Sequence, residues 1–89
     1  MTAMKRWQVE IVLGEDEGRT YAEARLHTEI GVHLLGIGRA KLNPHDYDVP
    51  EIGDEIAVAR ALTDLGHRLL ITAVMDLEQV TEKPVNLTH

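Results

Sequence analysis

The sequence predicts an α+β domain. Three antiparallel strands are followed by one long helix and one short helix on a single face, in the order β-β-β-α-α. Three observations lead there. Residues 5–42 alternate apolar and polar side chains with a period of two, interrupted at glycines. From Ile56 onward the apolar residues recur at helical spacing instead. Between the two regimes lie Asn43, Pro44, Asp46, Asp48 and Pro50, a composition that suits a crossing loop.

The first strand is expected at about residues 5–13, with Trp7, Val9, Ile11 and Leu13 on one face. Residues 14–18, GEDEG, read as a hairpin loop of several residues. The second strand, about 19–30, sets Thr20, Ala22, Ala24, Leu26 and Ile30 against Tyr21, Glu23, Arg25, His27 and Glu29. After a turn at Gly31, the third strand runs over about 32–42. Its Gly36, Gly38 and Ala40 join Ala22 and Ala24 in a shallow patch onto which a helix can lie closely. Its other face carries His33, Leu35, Ile37, Arg39 and Lys41.

A long helix is expected over about residues 53–73, starting between Pro50 and Glu55 and capped by Asp48 or Asp54, with Glu51, Asp54 and Glu55 at its positive end. Its apolar stripe reads Ile56, Ala59, Leu62, Leu65, Leu69 and Ala73, with Arg60, Asp64, His67 and Arg68 opposite. A second capping pattern at Asp76 and Gln79 suggests a break near residues 74–75 and a short helix over 76–82. Val85 and Leu87 follow in an extended tail.

At 89 residues the chain makes one domain, 1–89. It has no cysteine and no phenylalanine, so the core is aliphatic and no disulfide supports it. The net charge of −6 is unevenly placed. Residues 1–42 carry six basic and six acidic side chains, whereas residues 43–89 carry three and nine. An acidic body argues against broad binding to nucleic acid. There is no signal-like segment and no apolar run long enough to span a bilayer, so a cytoplasmic protein without membrane contact is expected.

No enzyme is expected. With neither serine nor cysteine, the common nucleophile–histidine arrangements are impossible. Gly36-x-Gly38 lacks the third glycine and the following helix of a dinucleotide fingerprint. His27, His33, His45, His67 and His89 show no metal-ligand spacing. The acids Asp46, Asp48, Glu51, Asp54 and Glu55 are explained by capping and by the helix dipole. Catalytic, cofactor and metal residues are therefore expected to be none. Asn86-Leu87-Thr88 matches a glycosylation acceptor, which a cytoplasmic chain would not use.

The blocks WQVEI, DEGRTYAEARL, GIGRAKLNP and VPEIGDEIAVARAL resemble a family of small actinobacterial proteins of unknown function. The resemblance covers about residues 6–84, and NPHDYDVPEIGDEIAVARAL is its most specific part. It implies a β-β-β-α fold like that of double-stranded-RNA-binding domains, a homodimer and no enzyme activity. Some members are hypoxia- or dormancy-induced, and one has been compared in fold with ribosome hibernation promoting factors. The resemblance thus implies a non-enzymatic stress or dormancy protein that associates with ribosomes. The alternative is a protein–protein interaction or dimerisation module with no RNA contact. Generic double-stranded RNA is not an expected partner, because Glu51, Asp54 and Glu55 stand where such binders carry lysines.

The expected partner face is the sheet's outer side, with Arg25, His27, Leu35, Ile37, Arg39 and Lys41. Glu10 and Glu23 share that face and would pair with its cations. Leu35, Ile37, Val85 and Leu87 lack an evident cover within the chain, which is the residue-level reason to expect a homodimer.

Overall fold

The computed structural model describes residues 2–41 and 50–81. Strands β1 (Gln8–Asp16), β2 (Arg19–Thr28) and β3 (Gly31–Lys41) form an antiparallel sheet in the order β1-β2-β3. One helix, α1 (Pro50–Thr81), crosses it. The α+β class and the three-stranded sheet follow the sequence expectation; the first turn is tighter than expected, and the second lies at Glu29 and Ile30 rather than at Gly31. Glu17 and Gly18 both have positive φ, 50° and 74°, so a two-residue turn joins β1 to β2. Both strands therefore stay paired to the end, and Asp16 sits opposite Arg19. β2 stops at Thr28, and Gly31, at φ 106°, opens β3.

Leu26 pairs with Leu34 but His27 pairs with Val32, so His33 is an extra residue in a bulge. The bulge resets the alternation: Leu34, Gly36, Gly38 and Ala40 share the inner face with Leu26, Ala24, Ala22 and Thr20.

The helix begins at Pro50, the early end of the expected start between Pro50 and Glu55, because proline is at ease in a first turn that needs no N–H. It corrects the sequence reading in two ways. It is a single helix of 32 residues. No break occurs at residues 74–75 and no separate helix begins at 76, since neither glycine nor proline stands between Gly66 and Thr81 and Asp76 is tolerated within the run. Finally, the buried stripe is rotated. Gly53, Ala57, Ala61 and Leu65 are buried, four residues apart, while Ile56, Ala59, Leu62 and Ala73 are exposed. Asp48, the rest of the acidic loop, Leu42 and the tail from Glu82 lie outside the described residues.

The rotation has a steric cause. A Cβ on Gly38 would run into the backbone of Ala57 and Ala61, and one on Gly36 would meet Ala61 O and lie 2.5 Å from the Leu65 nitrogen. Helix and strand backbones touch at these two glycines. Only small helix residues fit between them, so the sheet selects the alanines rather than the larger aliphatics. The resulting core is Ala22, Ala24, Leu26, Ala40, Ala57, Ala61 and Leu65, flanked by Ile11, Leu34, Val58 and Leu69.

Two substitutions test this packing in opposite ways. Gly38→Ala overfills the contact and should cost about 1–3 kcal/mol or more, because backbone cannot step aside like a side chain. Leu65→Ala empties it and should cost about 2–5 kcal/mol. Urea denaturation of both variants checks the pair, and a neutral Gly38→Ala would refute the backbone contact.

Candidate functional site

Arg25, His27, Leu35, Ile37, Arg39 and Lys41 share the outer face, in rows set by strand register, whereas His33 falls in the bulge and Glu29 in the turn. The rows run Gln8–His27–Val32, Glu10–Arg25–Leu35, Val12–Glu23–Ile37, Gly14–Tyr21–Arg39 and Asp16–Arg19–Lys41. The structure nevertheless divides the six residues into two environments. Arg25 is held by Glu23, at 2.7 Å from Nη2 and 3.1 Å from Nε, and lies 3.7 Å from Glu10. His27 Nε2 is 3.4 Å from the same Glu10 carboxylate. Hydrogen bonds from Arg25, and then from the Tyr21 hydroxyl at 2.9 Å, hold the Glu23 carboxyl below the usual range. That contact with Glu23 in turn raises Tyr21 and Arg25. Leu35 is exposed beside this neutralised cluster and Ile37 is half-buried.

At the hairpin end the balance differs. Arg39 lies over the Tyr21 ring, 5.5 Å from its centroid, and Lys41 pairs in register with Arg19. Arg60 reaches from α1 round the edge of β3 and donates to the Arg39 carbonyl at 2.7 Å. Among the described residues none of these four cations is in an ion pair. Arg19 follows from the alternation once the turn is known to be two residues long. Arg60 had no signal in the sequence, since its reach depends on where the helix lies.

The inner face shows a second feature that the sequence reading missed. The helix lies chiefly over β3, less over β2, and barely meets β1. Trp7, Val9 and Leu13, grouped with Ile11 on one face by the alternation, are therefore 53%, 43% and 45% exposed. On the helix, Leu62 is 44% exposed, on the same side as half-buried Val58 and Leu69. An open apolar band thus runs between β1 and α1.

The two sheet edges are treated differently. On β3, the Ile37 N–H donates to Asp64 Oδ2 at 2.8 Å, and Arg68 Nε donates to the same oxygen at 2.9 Å. Together with the Arg60 bond, this covers the middle of that edge. Among the described residues no side chain bonds to the backbone of β1. Among them, too, no three histidine, aspartate or glutamate side chains gather as a metal would require, and no helix is long and apolar enough to cross a membrane.

The comparisons with known proteins agree with this architecture. Residues 5–86 match the Rv2632c-like family. The chain belongs to that family. An uncharacterised protein of Mycobacterium bovis, Mb1767, is 49% identical over 86 residues, covering 97% of this chain and 90% of its own. The uncharacterised Rv2632c of Mycobacterium tuberculosis is 41% identical over 85 residues, covering 96% and 90%. The crystal structure of Rv2632c superposes with a TM-score of 0.81 at 40% identity, over 93% of this chain and 98% of that one. The fold is thus a family property.

Asp64 gives the edge a pH signature. The Ile37 N–H, and after it Arg68, hold its carboxyl below the ordinary aspartate range. A carboxyl whose pKa is lower folded than unfolded adds stability that is complete above the unfolded value. That stability is lost as pH falls through the folded one. The wild type should therefore weaken as pH drops through and below the ordinary aspartate range. Asp64→Asn should start less stable and show a flatter acid limb, as urea melts at stepped pH will reveal.

Proposed function

We propose that this protein is a non-enzymatic interaction module that works as a homodimer in the cytoplasm. The observation that carries the reading is the mismatch between its core and its surface. Five of the seven core residues are alanine, while Trp7, Val9, Leu13 and Leu62 stand open to water. Alanine contributes little apolar area, so the isolated chain has a small hydrophobic term to set against its ordering entropy. A second copy supplies the missing burial. The uncapped edge of β1 gives it a docking register, because antiparallel β1–β1 pairing about a two-fold axis extends the sheet and brings both apolar bands together. The lack of serine and cysteine supports the non-enzymatic part.

Light scattering at tens of micromolar should give twice the 10.0 kDa chain mass. Val9→Lys with Leu13→Lys should give a folded monomer that melts lower. A wild-type monomer, or a dimer untouched by the double change, would reject this arrangement.

The second reading comes from the family resemblance: a stress- or dormancy-linked protein, of double-stranded-RNA-binding-like kinship, that associates with ribosomes. Its support is that Arg39 and Lys41 are free of carboxylates among the described residues, unlike Arg25 and His27. Co-sedimentation with ribosomes at low salt should be abolished by Arg39→Glu with Lys41→Glu in a protein that still dimerises. Association that survives the reversal removes the outer face from consideration.

A further inference from the structure

The hairpin end of the outer face forms a cleft of about 670 Å³ that the proposed β1 dimer leaves open. That volume falls within the range of pockets that take small organic ligands. Arg19, Arg39, Lys41 and Arg60 line it, with the carboxylates of Glu15 and Asp16 among the lining residues from β1. The local balance is positive in a chain whose net charge is −6. Gathering four like charges costs stability unless an anion offsets them. Arg25 and Arg68 are instead spent on Glu23 and Asp64.

Two of the cleft cations are also held in place. The Tyr21 ring carries Arg39, and the Arg39 carbonyl anchors Arg60. Donors fixed beforehand lose less entropy when a ligand arrives. Gly14 pairs with Tyr21 and brings no side chain over it, so the floor there is open. A single phosphate carries about two charges at most. It would match the balance of about two positive charges left once Glu15 and Asp16 are counted against the four cations, but it would leave most of the volume empty.

We infer that the cleft binds a nucleoside di- or triphosphate. Its phosphates bridge Arg19, Arg39, Lys41 and Arg60, and its planar base lies against the Tyr21–Arg39 stack. The inference is one of binding alone. It does not rest on ribosome contact or on the dimer.

The test is calorimetric titration of the full chain with ATP, with pyrophosphate, and with a short RNA duplex, at low and high potassium chloride. ATP should bind with a micromolar Kd, about ten-fold or more tighter than pyrophosphate, and more weakly at high salt. Arg39→Gln with Lys41→Gln should weaken ATP by about ten-fold or more, with an unchanged circular dichroism spectrum. Arg19→Gln, at the exposed start of β2, serves as an independent variant should the double change disturb folding. No heat with millimolar ATP, pyrophosphate binding as tightly as ATP, or full ATP affinity in the variants overturns the inference. So does an RNA duplex that binds where ATP does not, which would make the cleft a nucleic-acid face.

Discussion

The structure depends on one contact: the backbone of α1 resting on the backbone of β3 where Gly36 and Gly38 have no side chains. On the helix, Ala57 and Ala61 take the places over Gly38, and Ala61 and Leu65 those over Gly36. Close approach favours dispersion between main-chain atoms and brings the helix within reach of the strand's edge. It also makes the interior thin. Aliphatic side chains that would thicken an ordinary core are pushed to the helix flanks, where Val58 and Leu69 are half covered and Leu62 is not.

The same approach organises the polar groups. With α1 drawn close over β3, Asp64 meets the Ile37 N–H and Arg60 meets the Arg39 carbonyl. β1, lying farthest from the helix, has only Ile11 packed against the core and, among the described residues, receives no side-chain caps. On the far side of the sheet, Glu10 and Glu23 are placed to neutralise Arg25 and His27 but not the cations nearer the hairpin. A thin interior, an open apolar flank and a divided outer face are thus three results of where one helix sits.

Much of this was legible in the sequence. Period-two alternation located the three strands, and the small residues Gly36, Gly38, Ala22 and Ala24 marked the face that receives the helix. Alternation also placed Arg25, His27, Leu35, Ile37, Arg39 and Lys41 together. What escaped was how far the helix is rotated and shifted. A stripe through Ile56, Leu62 and Leu69 maximises apolarity, whereas packing on glycine selects the smallest residues, Ala57 and Ala61. The capping pattern at Asp76 misled because a cap acts only where the preceding turn has already stopped. The uncovered state of Trp7, Val9 and Leu13 was hidden for the same reason as the reach of Arg60. Both depend on which two of three strands one helix can shelter, and periodicity carries no information about that.

The unequal edges bear on how large an assembly can grow. A flat sheet with both margins bare can add strands without limit, which is the geometry of a fibre. Here Asp64 and Arg60 occupy hydrogen-bonding positions along one margin, so strand addition there must first displace them. In the proposed dimer the β1 margin is used once, and the margins left outward are those that Asp64 and Arg60 obstruct at Ile37 and Arg39. Under that proposal, raising the concentration should saturate at a closed particle, with the helix hindering polymerisation as well as covering the core.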